Sequence, residues 1–253
     1  MPPTASLHSV RMISPLQPSK GTETPVVASS CGHMRVRCLF LSLALLPLLT
    51  ACGNASMKYD IQLDTEDEEQ SSALLSASMR MIERRMADLG EEVIDLDIQP
   101  SGEENRIYVE AAEKPALDVL TDLITTPFDL QIMKEAPVEE ADQVVEGHGG
   151  FKKTGISHTH IQWLKASEEP GGRGRVTITF SEEGREKMAQ LFRENKGKSI
   201  GIFVRNQLVS KLLVDTDELK DDIVITDIPS VQLANVFADD VNVGIHVTFT
   251  PVP

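Results

Sequence analysis

Cysteine is scarce in this chain: its 253 residues hold three, Cys31, Cys38 and Cys52. None follows Cys52, so a disulfide, a thiolate zinc site and a cysteine nucleophile are all excluded from residues 53–253. Long apolar runs are missing from the same region. A membrane-spanning helix needs roughly 20 consecutive apolar residues, and no stretch after Cys52 approaches that, so this part reads as soluble. Positive charge is short as well. Residues 1–51 carry four of the 24 basic residues (Arg11, Lys20, Arg35, Arg37) and one of the 39 acidic ones (Glu23), which leaves 20 against 38, net −18, for the rest. Such a surface repels nucleic acid and anionic headgroups, favours solubility, and leaves room for a basic partner. There is no internal repeat, and no low-complexity segment after Cys52. No nucleophile elbow or triad spacing occurs among the Ser and His residues, so no catalytic residue is named and the chain is not expected to be an enzyme.

What is present begins at residues 34–52, MRVRCLFLSLALLPLLTAC. Arg35 and Arg37 form a positive n-region. Residues 38–51 form an apolar stretch too short to span a bilayer. Small Ala51 then precedes Cys52. Leu49, Thr50, Ala51 and Cys52 resemble the lipobox of bacterial lipoproteins. That resemblance implies a diacylglycerol on the Cys52 thiol, cleavage before Cys52 and acylation of the new amine. Two or more acyl chains, at about 0.8 kcal/mol per buried methylene, hold a protein to a membrane where one chain would not. Gly53 lacks the Asp that retains some lipoproteins at the inner membrane, so the resemblance favours an outer-membrane anchor facing the periplasm. Residues 1–33 contain Pro2, Pro3, Pro15, Pro18 and Pro25 and no periodic apolar pattern, so they cannot bury a core. Translation is expected to start at Met34, or the first 33 residues to be a disordered extension; residues 34–51 are the signal peptide and 52–57 the lipidated Cys and its tether.

After the anchor, residues 58–63 alternate as a strand through Tyr59, Ile61 and Leu63. Glu66 to Glu69 read as a solvated acidic turn. Ser71 or Ser72 is the expected cap of a helix carrying Leu75, Met79, Ile82, Met86 and Leu89, with Gly90 as its stop. Strands follow at 93–98 and 106–110, around a turn at Pro100, Ser101 and Gly102. Pro115 opens a second helix with Leu117, Leu120, Leu123 and Ile124, and residues 128–133 alternate again. This order, strand, helix, strand, strand, helix, strand, is that of a ferredoxin-like split βαβ unit, and an α+β fold is expected. The expected division is a base at 58–135, a linker at 136–150, and a smaller α+β head at 151–253. In the head, strands are expected at 161–164, 176–180, 200–204, 208–214 and 223–226. Ser181 caps a helix with Met188, Leu191 and Phe192, and Arg205, Asn206 and Gln207 make a tight hairpin turn. A short helix at 230–238 precedes a closing strand at 241–250.

Some of these residues resemble a known family. The run from Met81 to Gly90 (MIERRMADLG) and the run from Asn105 to Glu110 (NRIYVE) resemble the first periplasmic domain of SecD. Thr154-Gly155, residues 176–180 with Glu183-Gly184, and residues 194–198 with 200–204 are similar to the head part of that domain. The resemblance spans about residues 72–245. It implies the base-and-head fold and binding of unfolded polypeptide or of a Sec or other envelope protein, without catalysis and without a cofactor. Two departures stand out. SecD spans the membrane many times and its export work is thought to need charged residues in those helices, so no motor or proton path is expected here. In the hairpin, Arg205-Asn206 replaces the family's usual Asp-Gly, and Val209, Ser210, Lys211 and Leu212 stand where it usually has Ser-Ala-Pro. Arg205, Asn206 and Lys211 are therefore the candidate partner-binding residues.

Other side-chain clusters offer less. His158 and His160, with His148 upstream, form the one metal-like group; two imidazoles at i and i+2 on a strand face the same side and suit zinc or copper. A metal- or small-molecule-binding lipoprotein is the alternative function. The alternative for the histidines themselves is exposure on an edge strand. Glu182-Glu183, Asp221-Asp222 and Asp239-Asp240 are paired carboxylates expected to face water, since acid–base chemistry needs two different environments. Asp215, Asp217, Asp221 and Asp222 lack the Gly and final Glu of a calcium loop. The Gly-rich runs 147–150 and 171–174 do not sit between strand and helix with a Lys, as a phosphate cradle requires. Trp163 reads as core or groove lining.

Overall fold

The computed structural model describes residues 11–12, 54–101, 104–217 and 222–252. In chain order they form β1 (Arg11–Met12), β2 (Ala55–Leu63), α1 (Glu68–Asp88), β3 (Val93–Ser101), β4 (Glu104–Ala111), α2 (Lys114–Thr125) and β5 (Leu130–Ala136). Next come β6 (Gln143–Val145), β7 (Gly149–Ser157), β8 (Ile161–Glu169), β9 (Arg173–Phe180) and α3 (Glu182–Glu194). The chain closes with β10 (Ser199–Val204), β11 (Gln207–Leu213), β12 (Ile223–Ile228), α4 (Val231–His246) and β13 (Val247–Val252). Single 3₁₀ turns occupy Val138–Glu140 and His158–His160. The fold is α+β. Among the described residues no helix is long and apolar enough to cross a membrane.

The base is an antiparallel sheet in the order β13-β2-β4-β3. That is the strand order of a ferredoxin-like unit, with α1 and α2 between the strands in sequence. Its core holds Tyr59 and Ile61 of β2, Ile107 and Val109 of β4, Met81, Ile82 and Met86 of α1, and Leu117 and Leu120 of α2. Between them Ser56, Lys58, Asp60 and Gln62 of β2 and Arg106, Tyr108 and Glu110 of β4 alternate outward, as a half-solvated sheet requires. Tyr59 also places its hydroxyl 2.7 Å from Thr121 Oγ1. Thr121 donates its own proton to Leu117 O, so the phenol is the donor between the two. Burial raises the Tyr59 pKa above its ordinary value.

The helix α1 begins earlier than Ser71 or Ser72 would place it. Asp67 is the cap and accepts from the Gln70 N–H at 2.8 Å. Glu68 and Glu69, read as a turn, are instead the first helical residues, where their charge suits the positive end of the helix dipole. Gly90 ends the helix as expected, at φ +80°, a conformation glycine adopts without a Cβ penalty. The second helix has Pro115 in its first turn.

The fourth base strand is not at 128–133. Residues in β5 alternate as predicted, but they pair with β10 and β7 and send Leu130 and Ile132 into the head core. The strand that completes the base is β13, with Val247 opposite Leu63 and Val252 opposite Lys58. Alternation reports that a strand has one buried face; it carries no information on which sheet supplies that burial. The head is thus inserted between α2 and the last base strand.

The head contains two sheets, β1-β11-β10-β5-β7-β6 and β12-β9-β8. One core takes side chains from both sheets, including Ile202, Leu212, Val176, Ile178 and Phe180, and from α3 and α4 through Met188, Phe192, Ala234 and Val241. A smaller cluster of Met133, Phe151 and Phe203 brings together β5, β7 and β10. Residues 136–150 are not a free linker: β6 pairs with β7, and the Asp142 carboxylate accepts from the Lys153 N–H at 2.8 Å. The helix expected at 230–238 continues to His246, so residues 241–246 are helical rather than strand. Ala234, Ala238 and Val241 repeat at i, i+4 and i+7 on one buried face, a pattern that outweighs the β-branched valines.

Candidate functional site

Three places carry the candidate residues. The first is the end of the base at which β2 begins. Cys52 lies outside the described residues. Asn54, the first residue of the continuous described chain, donates to Glu110 Oε1 at 2.6 Å, and Tyr108 donates its hydroxyl to Glu110 Oε2 at 2.8 Å. Both bonds hold the Glu110 carboxyl below its ordinary pKa, the Asn54 bond most strongly. A lowered folded pKa contributes stability above the ordinary Glu value, about 4.3, that disappears as the pH falls through the folded value. Glu110→Gln should therefore melt slightly lower than wild type at pH 7, with the difference shrinking to nothing on acidification; thermal melts at neutral and strongly acidic pH measure this. An equal difference at both pH values would show that the charge is not what matters.

The second place is the head hairpin. Arg205 (φ +49°) and Asn206 (φ +62°) are both left-handed, so the connection between β10 and β11 is a tight hairpin turn of two residues, and Gln207, expected in the turn, already belongs to β11. Asn tolerates this region better than most residues. The turn is exposed, yet its groups have internal partners. Arg205 donates its backbone N–H to Asp129 O at 2.9 Å and its Nη2 to Leu123 O at 3.1 Å. Asn206 O accepts from Gln143 Nε2 at 2.7 Å. Lys211 donates to His148 O at 3.1 Å and stands 5.6 Å from the Phe151 ring centroid. On the outer edge of β11, β1 adds an antiparallel pair, Arg11 opposite Lys211 and Met12 opposite Ser210.

The third place is the histidine segment. It is a 3₁₀ turn, not a strand, and the two rings meet different surroundings. His158 meets the Phe128 ring edge-on at 6.1 Å between centroids. The buried His160 ring has the Ser157 N–H 3.2 Å from Nδ1 and Lys187 Nζ 2.7 Å from Nε2. Whichever tautomer the ring adopts, its lone pair faces a donor, which opposes metal ligation. Among the described residues, no group of three or more His, Cys, Asp or Glu is placed to hold a metal ion. Lys187 also pairs with Glu183 Oε1 at 2.7 Å. That hydrogen bond, with the charge of Lys187, lowers the Glu183 pKa.

The other clusters separate in the same way. Asp239 and Asp240 do not face water alone: Arg80 Nε donates to Asp239 at 2.9 Å, Arg84 to Asp240 at 2.6 Å and Arg85 to Asp240 at 3.0 Å. This ion-pair network ties α1 of the base to α4, more than 150 residues away in sequence, where no local signal could reveal it. It also places Arg84 and Arg85 of the SecD-like run in a structural contact. Asp217 takes Lys196 at 3.2 Å, while Asp221 lies outside the described residues. Trp163 is half-buried and its ring lies 5.4 Å from that of His246. Sequence reading missed Lys187 and Asn242, the latter a buried amide on α4 bonded to the Leu164 backbone.

No protein-family model matches the chain, and no curated protein matches it. Among solved structures the chain is similar to SecDF, described there as a membrane component that enhances protein export, with 19% identity and a TM-score of 0.41 over 78% of this chain and 99% of that one. It is similar to SecDF in a super-membrane-facing form, with 19% identity, a TM-score of 0.42 and coverage of 79% of this chain. It is similar also to SecDF of Thermus thermophilus, described as translocon-associated, with 19% identity, a TM-score of 0.47 and coverage of 78%. The chain spans 30% of the length of each of the latter two.

Proposed function

We propose that this chain is a non-enzymatic, lipid-anchored binding module of the cell envelope, facing the periplasm, with the outer membrane favoured over the inner. The observation that carries the reading is the lipobox ending at Cys52, two residues before Asn54, which joins the base through Glu110. Its partner is an unfolded polypeptide or an envelope protein of the export machinery, as the SecD-like motifs imply. The partner face is the exposed hairpin turn with Arg205, Asn206 and the β11 edge beside Lys211. Among the described residues β1 covers only Ser210 and Lys211 of that edge, which takes an extended segment in the manner of strand addition. Cleavage before Cys52 would remove β1 and leave the edge vacant.

The test compares wild type with Cys52→Ser in cells fed a clickable fatty acid. Wild type is expected to carry the label and partition into detergent, and the variant to lose both. A Cys52→Ser protein that still floats with membranes would sink the anchor. In the same preparation a permanently unfolded, carboxymethylated polypeptide is the binding probe. Binding that is weakened by Lys211→Glu supports the head face; equal binding by wild type and variant, or none by wild type, removes it.

A further inference from the structure

The elements of the base end at two opposite ends. Ala55 pairs with Ala111 and Ala111 with Val93, so β2 begins, β4 ends and β3 begins side by side. β13 also finishes here, with Val252 opposite Lys58. Short connections put the end of α1 and the start of α2 at this same end. Both links to the head leave from the other end, where Val247 pairs with Leu63. The hairpin turn belongs to that far end too, because Arg205 bonds Leu123 near the end of α2.

The near end has almost no tether. Only Gly53 stands between Cys52 and Asn54, and Asn54 is bonded into the sheet through Glu110. Two residue steps reach at most about 7 Å, no more than the roughly 5–10 Å that interfacial groups penetrate at the headgroup/acyl boundary. Two large apolar side chains are exposed at this end, Leu89 (39%) at the close of α1 and Ile94 (50%) at the start of β3. Adjacent strands are about 4.8 Å apart, which puts Ile94 about 10 Å across the sheet from the residue that follows the tether.

We infer that this end of the base rests directly on the bilayer, with Leu89 and Ile94 against the lipid headgroups and the hairpin turn held at the distal end. The inference depends on the acylation of Cys52 proposed above. The occupant is a lipid surface because the chain leaves no room for anything thicker between the acyl group and β2. The net charge of −18 after Cys52, from 20 basic and 38 acidic residues, selects zwitterionic rather than anionic lipid.

The full chain is expressed, matured in cells and returned to phosphatidylcholine vesicles containing headgroup nitroxide lipids. Processing removes Cys31 and Cys38 and acylates Cys52, so Leu89→Cys, Ile94→Cys and Asn206→Cys each offer one thiol to an environment-sensitive dye. Dyes at 89 and 94 should be quenched about twofold or more, as befits a probe within the headgroup boundary, and the dye at 206 should be unaffected. Intact mass and flotation are recorded on every sample. Acylated, floating protein with no quenching at 89 and 94, or with equal quenching at all three, overturns the inference and leaves the anchor standing. Protein that carries no acyl group overturns the anchor, and the inference falls with it.

Discussion

Asn242→Leu is expected to destabilise the protein by roughly 2–5 kcal/mol, because two buried backbone groups each lose their partner at about 1–3 kcal/mol. Asn242 is only 6% exposed. Its Oδ1 accepts from Leu164 N and its Nδ2 donates to Leu164 O, both at 2.8 Å. One side-chain amide thus supplies to the outer edge of β8 what a neighbouring strand would supply. Leucine has the same branched arrangement of heavy atoms, so the side chain's shape is kept while both bonds vanish. For a domain of about 200 residues the expected fall in Tm is roughly 5–15 °C. Asn242→Asp separates the two bonds: its carboxylate still accepts from Leu164 N but repels Leu164 O, so it should lie at or below the leucine variant at neutral pH and recover on acidification. A leucine variant within about 0.5 kcal/mol of wild type, the range of ordinary surface changes, would mean that water takes the place of the amide.

Gly174→Ala should be similarly damaging. A Cβ on Gly174 would stand 2.5 Å from Ser230 O and 2.6 Å from Ala234 Cβ. Ser230 caps α4, its hydroxyl accepting from Leu233 N at 3.2 Å, so the obstacle is the backbone at the start of a helix and cannot rotate away. Overpacking of this kind costs about 1–3 kcal/mol. The helix must lift off β9, which also draws Asp239 and Asp240 away from the arginines of α1. Adding Ala234→Gly removes one of the two obstacles at a cost of about 1 kcal/mol in helix propensity. The double variant should therefore be more stable than the sum of the two single losses predicts, by about 0.5 kcal/mol or more. Strict additivity in denaturant unfolding would place the strain elsewhere.

Much of the base was legible in the chain. Tyr59 and Ile61, Ile107 and Val109, and the helical repeat through Ile82 and Met86 all point inward as the periods demand. The Arg205–Asn206 turn was also legible, since its neighbours alternate on both sides. What failed was long-range identity. Leu130 and Ile132 are equally at home in either sheet, and only the competition between β13 and β5 for β2 decides it. Helix α4 was cut short because Val241 and Val243 favour strand locally, while burial beside Ala234 and Ala238 favours helix. Pairs of carboxylates gave no hint that Asp239 and Asp240 meet Arg80, Arg84 and Arg85. The histidines were placed on a strand because their spacing is two; the 3₁₀ turn capped by Ser157 sends the rings to Phe128 and Lys187 instead.

The position of β13 governs the order of events during folding. Its partner β2 lies far upstream, so their pairing, from Val247 with Leu63 to Val252 with Lys58, joins segments with α1 to α4 between them. Loop closure over that distance is slow to reward, because the intervening chain must first be confined. The head sheets and α3 draw almost all their strands from one uninterrupted stretch between α2 and α4 and can condense while the C-terminus is still being delivered. The base is left as an open three-stranded sheet until β13 arrives. Completion of the fold is thus recorded along β2, where β13 closes the sheet.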